Sequence, residues 1–339
     1  MQSVVRSFRA AFVEGRFVPL FAAVGMIGMR VILLYTGGLP QITSLGDNYV
    51  WEPIAHFFTL SQASLVGSTL ALFLIAWLLS LLNSKFNLIR SRSSLPFTAP
   101  LFLLSLHPYF LVMSGDYMAI IFLLLALFPL LESYQKPDSY LCSFRAAILI
   151  AVASLFQIYA LVLLPLWWIG ERSMRGPQSR SFVSSLFGLF LVYITLVSIY
   201  WLLDDIPRFV RPFLQFASFS ISELPRFSVL EWGGVLFVGL FFIFNMIFSI
   251  KIYSRDKALT LSLMQFMVFL IVFLLFLQVV YWQETFFFLS LSLTLISYLN
   301  AYFYSRTISK GHIYVAYGML LFMLLLYLSH LLPSMRSFL

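Results

Sequence analysis

The sequence predicts an all-α, polytopic transmembrane helical bundle, about nine full spans plus a short re-entrant helical hairpin at 146–170. Three observations carry that expectation. Of 339 residues, 61% are hydrophobic and only 10% are charged, whereas a soluble domain carries about 25% charged residues on its surface. Apolar stretches such as Phe97–Met113, Leu259–Trp282 and Thr285–Tyr304 match the roughly 20 residues that cross a bilayer. The basic residues gather in clusters that border the apolar runs: Arg6/Arg9/Arg16, Lys85/Arg90/Arg92, Lys136/Arg145, Arg172/Arg175/Arg180, Lys251/Arg255/Lys257 and Arg306/Lys310. A net charge of +8 distributed in this way is the positive-inside bias of a membrane protein and excludes nucleic acid as a partner.

The clusters orient the chain. With the N-terminal arginines in the cytoplasm, the first span is about Phe17–Tyr35, retained rather than cleaved, and it delivers the loop 37–65 to the outside. The second span, about Val66–Leu82, returns to Lys85. The third, about Pro96–Met113, and the fourth, about Tyr117–Leu131, meet outside at Ser114-Gly115-Asp116. Ala146–Gly170 then lies between two basic clusters, too short for two crossings and wrongly signed for one. A hairpin that dips in and returns, breaking near Gln157 or Pro165, satisfies both constraints; the alternative is one span that violates the charge rule at one loop. Later spans fall at about Phe182–Leu203, Gly234–Ile250, Leu259–Tyr281, Thr285–Tyr304 and Ile313–Leu332, leaving the C-terminus extracytoplasmic. The outer segment 204–233 mixes Phe, Leu and Ile with Arg, Ser and Pro, as an interfacial amphipathic element does. The chain reads as one domain over 1–339. Its single cysteine, Cys142, falls in a basic cytoplasmic loop and excludes an intrachain disulfide or a thiolate metal cluster.

The outer acids are the first candidates for chemistry. Asp47, in Gly46-Asp47-Asn48-Tyr49, suits a general base acting on a hydroxyl. It equally suits an oxygen ligand of a divalent cation such as magnesium or manganese, and Gly-Asp-Asn is also ordinary turn chemistry. Asp116 sits at the tip of a short outer hairpin, where it is either functional or simply caps the following helix. Arg208 and Arg211, near Asp204 and Asp205, suit phosphate through their planar guanidinium groups, or a lipid headgroup. Arg30 lies within the first span, where a charge is costly unless paired, so Asp47, Asp116 or a lipid phosphate is its expected partner. His107, Gln157, Asn245, Gln265 and Gln278 are the other intramembrane polar groups, expected to donate hydrogen bonds between helices. The four histidines show no metal-site spacing, and there is no phosphate-binding glycine loop, zinc motif or nucleophile elbow.

A retained first span, an outer loop with an acid, and a helix pair joined by a tight outer turn with a second acid resemble the GT-C class of integral-membrane glycosyltransferases. The run HPYFLVMSGDYMAIIFLLLALFPLL, His107–Leu131, is similar to their third-to-fourth-helix region. The run ASLFQIYALVLLPLWWIG within 146–170 is similar to their short paired helices beside the lipid-donor site. The resemblance covers roughly residues 17–205; the chain also resembles an uncharacterised family of polytopic membrane proteins from Bacteroidota. It implies transfer of a sugar from a polyprenyl-phosphate donor to an acceptor hydroxyl, on the extracytoplasmic side of a bacterial inner membrane. It implies Asp47 as base or metal-positioning acid and Asp116 as second acid. Arg208 or Arg211, with Arg30 and His107, would then stand toward the donor phosphate. Two alternatives stay open: a non-catalytic subunit with protein partners in the membrane, and a flippase or transporter for a lipid-linked sugar. Acids near loops and span ends rather than at the midplane count against an ion-coupled transporter.

Overall fold

The computed structural model describes residues 3–40, 48–89, 93–136, 139–217, 229–254, 256–306 and 309–331, whose regular elements are all helices, with no strand among them. In chain order the α-helices are α1 (Ser3–Phe8), α2 (Val18–Gly37), α3 (Trp51–Ala55), α4 (Ser61–Phe86), α5 (Leu95–Leu103), α6 (Gly115–Glu132), α7 (Tyr140–Phe156) and α8 (Leu164–Arg175). They continue as α9 (Ser179–Leu202), α10 (Ile206–Ala217), α11 (Val229–Tyr253), α12 (Ala258–Val280), α13 (Thr285–Arg306) and α14 (Lys310–Leu331). Seven of these, α2, α4, α6, α9, α12, α13 and α14, are long and apolar enough to cross a bilayer. The chain is a multi-pass membrane protein.

α13 forms the centre, with 83% of its apolar stretch buried, against 17% for α2 and α9 at the periphery. That position is unexpected for the helix richest in hydroxyls. It is tolerated because Ser290, Thr294, Ser297 and Ser305 return their hydroxyl protons to carbonyls three or four residues back, at 2.6–2.7 Å. Small hydroxyl side chains also let neighbouring helices approach closely, the usual basis of packing between membrane helices. Asn245 of α11 donates to Asn300 of α13 at 2.7 Å, the interhelical bond expected of it.

Contacts between helix ends divide the bundle into a basic and an acidic end. At the basic end Lys85 pairs with Glu132, Gln135 N donates to Met174 O at 3.3 Å, and Arg306 pairs with Asp256 while donating to Leu88 O at 3.1 Å. At the acidic end the loop before α3 meets α10, where Tyr49 donates to Phe209 O at 2.6 Å. The amphipathic α10 lies against α9 and the 3-10 turn that precedes α8, the interfacial element expected at the start of 204–233; most of the rest of that segment lies outside the described residues.

Two expected segments differ. The third span is not a continuous helix: α5 stops after nine residues, and a 3-10 turn, Pro108–Leu111, replaces its continuation. Proline explains this. Pro100 removes a helical donor, and Pro108 forces His107 into extended backbone at φ −119° and ψ 140°. The re-entrant hairpin is also longer than 146–170. It runs from Tyr140 to Arg175, breaks at Gln157 as anticipated, and its tip meets Asp116 at the far end of α6. Its two arms therefore traverse the whole length of α6 rather than dipping part-way. The expectation treated Arg145, Glu171, Arg172 and Arg175 as loop, whereas all four belong to α7 and α8. Charged residues can end a membrane helix because they pair there: Arg175 bonds Glu171 at 2.7 Å and Ser139 O at 2.8 Å. Cys142, likewise expected in a loop, lies half-buried in the first turn of α7.

Candidate functional site at the acidic end of the bundle

Backbone packing brings three polar side chains together. A Cβ added at Gly115 would stand 2.6 Å from Phe156 O and 3.0 Å from the Trp51 ring, so only glycine lets the start of α6 approach the end of α7 this closely. The break at Gln157, extended at φ −149° and ψ 106°, then turns its amide toward the first turn of α6. Gln157 is buried, and its Nε2 donates to Asp116 Oδ1 at 2.7 Å and to Glu284 Oε2 at 3.1 Å. Glu284 arrives from the 3-10 turn Trp282–Glu284 between α12 and α13. Ser114 Oγ donates to the other oxygen of Asp116 at 3.1 Å.

One amide thus spends both its protons on two part-buried carboxylates. Two anions so close in a low dielectric cannot both ionise easily, and one proton retained in the pair relieves the repulsion. Burial, reinforced by the Asp116 carboxylate and opposed by the Gln157 amide, pushes Glu284 up to about 7 from the usual carboxylate range. A carboxylate pair poised near neutrality can take a proton from a hydroxyl and release it again.

Beside the pair, Val50 N donates to Leu155 O at 3.1 Å, and Trp51 packs on Gly115 and stacks on Phe58. A shallow cleft opens next to this loop, lined by Asn48, Tyr49, Glu52, Tyr200, Arg208 and Arg211. Arg208 pairs with Glu52 at 2.8 Å in an exposed position, and Asp205 accepts from Arg208 N at 3.3 Å at the start of α10. Arg211 is exposed on the same helix.

The other expected residues lie apart from the pair. Arg30 is buried, but its bonds go to neutral oxygens: Thr69 Oγ1 at 3.0 Å, Ser68 Oγ at 2.5 Å, Phe110 O at 2.9 Å and Leu104 O at 3.4 Å. Those carbonyls belong to the irregular chain between α5 and α6, so Arg30 supplies donors that a continuous helix would have supplied itself. His107 accepts from Tyr109 N at 3.2 Å, stacks on Tyr109 and meets the edge of His330. Asp47 lies outside the described residues, and so does any cavity it would share with Asp116. Among the described residues no three His, Cys, Asp or Glu side chains converge as a metal ion would require.

Asp116 was expected as a helix cap or a functional acid; its carboxylate is bonded by Ser114 and Gln157 side chains. Glu284 is not among the residues that the sequence singles out. The signal was present: it is an acid in a three-residue outer turn between two long spans, the same setting as Asp116. No family model, curated protein or solved structure matches this chain.

Proposed function

We propose that the chain is a membrane glycosyltransferase that moves a sugar from a polyprenyl-phosphate donor to an acceptor hydroxyl at the acidic end of the bundle. That end faces the extracytoplasmic side of a bacterial cytoplasmic membrane in this reading, with the basic clusters held inside by the membrane potential and anionic lipid. The observation that carries it is the carboxylate pair bridged by Gln157, a proton acceptor formed where the first turn of α6 meets the turn before α13.

In the proposed reaction the pair takes the acceptor hydroxyl proton through Asp116. The acceptor oxygen forms a bond to the anomeric carbon, the bond from that carbon to the phosphate oxygen breaks, and polyprenyl phosphate leaves with the electron pair. Gln157 positions both carboxylates. Asp47, outside the described residues, is assigned as a further acid, an alternative base or a ligand for a divalent cation. Arg211, exposed beside the cleft, is assigned to the donor phosphate, with Arg208 shared between it and Glu52.

The test is transfer from a panel of polyprenyl-phosphate sugars to hydroxyl acceptors by purified wild type, Asp116→Asn, Glu284→Gln and Asp47→Asn. Loss of transfer with retained donor binding in Asp116→Asn supports the assignment. Donor binding by wild type without transfer points instead to a lipid-linked-sugar flippase. Absence of both in wild type leaves a non-catalytic membrane subunit.

A further inference from the structure

The opposite, basic end of the molecule carries a second site. Between the end of α8 and the start of α9 lies a cavity of about 340 Å³, walled by Trp168 and Phe182 and floored by Arg172, Arg175, the Glu171 carboxylate that Arg175 neutralises, and the first turn of α9. Three features suit an anion there. The Arg175 side chain is 1% exposed and its Nη atoms are committed to Ser139, Ser143 and Glu171, but its buried Nε–H has no acceptor. Among the described residues the Arg172 side chain has no ion-pair or hydrogen-bond partner, and it is exposed at the cavity. The 24-residue helix α9 begins at the cavity with Gln178, whose side chain caps no backbone N–H, so the first-turn donors stay open to an anion.

The walls decide what kind of anion. Trp168 and Phe182 rings stand 4.5 Å apart, and Phe182 begins a line of exposed apolar side chains, Phe182, Leu186 and Phe190, spaced four residues apart along the outer face of α9. The charged seat therefore opens directly onto a membrane-facing apolar stripe. A free phosphate would use the seat alone; a phospholipid uses both, with headgroup phosphate on the arginines and acyl chain along α9. We propose that this cavity binds the phosphate of an anionic phospholipid in the leaflet at the basic end of the bundle. The site does not depend on the chemistry at the acidic end.

The experiment is native mass spectrometry of the full chain released from phosphatidylcholine vesicles containing phosphatidylglycerol. Wild type should retain one phosphatidylglycerol in preference to phosphatidylcholine. Arg172→Gln should lower that occupancy about tenfold, the cost of one charge-assisted hydrogen bond. Arg180→Gln removes the same charge from an exposed side chain of α9 that does not line the cavity, and should leave occupancy unchanged. Equal retention of both lipids overturns the proposal, as does equal loss in Arg172→Gln and Arg180→Gln. Displacement of the bound lipid by millimolar inorganic phosphate overturns it in favour of a free-anion site.

Discussion

Asp116 and Glu284, from opposite halves of the chain, accept hydrogen bonds from the same nitrogen, Gln157 Nε2, at 2.7 and 3.1 Å. Their meeting has a consequence for stability. The carboxyl of Glu284 is raised to about 7 in the fold, against about 4.3 in an unfolded chain. Between those values the folded protein binds more protons than the unfolded one, so stability falls as pH rises through that window. Glu284→Gln removes the Glu284 share of this pH dependence. The variant should melt increasingly above wild type from pH 5 to pH 8, by no more than about 3 kcal/mol. Thermal unfolding in detergent across that range measures it, and parallel curves for the two proteins would refute the shared-proton account.

Arg30 makes a separate claim about architecture. Its guanidinium reaches four oxygens on α4 and on the irregular chain after α5. Arg30→Met should leave Leu104 O without a side-chain donor and Phe110 O with the Tyr117 hydroxyl alone, at a cost of roughly 3 kcal/mol. Arg30→Lys should recover little, because one ammonium cannot span the same fork of acceptors. Thermal unfolding again reads the result. A variant that melts like wild type but binds donor weakly would return Arg30 to the ligand-binding role that sequence suggests.

Much of this fold is legible in the sequence because apolar runs bounded by charge are sharp signals. The ends of α4, α6, α9, α12, α13 and α14 lie within a few residues of the expected spans. The exceptions have physical causes. In α5 the apolar run persists while Pro100 and Pro108 remove backbone donors, so hydropathy continues where the helix cannot. At the hairpin, charge signals a loop in sequence, although Arg175 and Glu171 satisfy each other inside α8. The site was half visible. Asp116 and Gln157 stand out locally as polar groups in apolar surroundings. Their convergence on Glu284 is a long-range contact made by α7, α12 and α13, which no local pattern encodes.

Gly115 is the position on which that convergence rests. An added methyl would lie 2.6 Å from Phe156 O, a backbone atom that cannot swing aside. Gly115→Ala should push the start of α6 away from the end of α7, costing about 1–3 kcal/mol, and lengthen the Asp116–Gln157 bond. The expected result is loss of transfer activity greater than the loss of folded protein, measured as specific activity against the fraction retained in a monodisperse peak. Unchanged specific activity would mean that Gln157 does not position the acids.

The hairpin of α7 and α8 predicts a labelling pattern that a single crossing cannot produce. Arg175 bonds Ser139 O, so both ends of the hairpin lie at one face of the bundle, while Gln157 and the α9–α10 turn lie at the other. Lys136, Pro177 and Asp204 are exposed and provide probes. In a Cys142→Ser background, Lys136→Cys and Pro177→Cys should react with an impermeant maleimide from the same side of sealed vesicles, and Asp204→Cys from the opposite side. If Lys136→Cys and Pro177→Cys react from opposite sides, the chain between them crosses once and Gln157 cannot stand beside Asp116. Agreement on one side fixes the two basic clusters in the same compartment, which explains why both carry arginine: each end of the hairpin meets the same leaflet and the same potential.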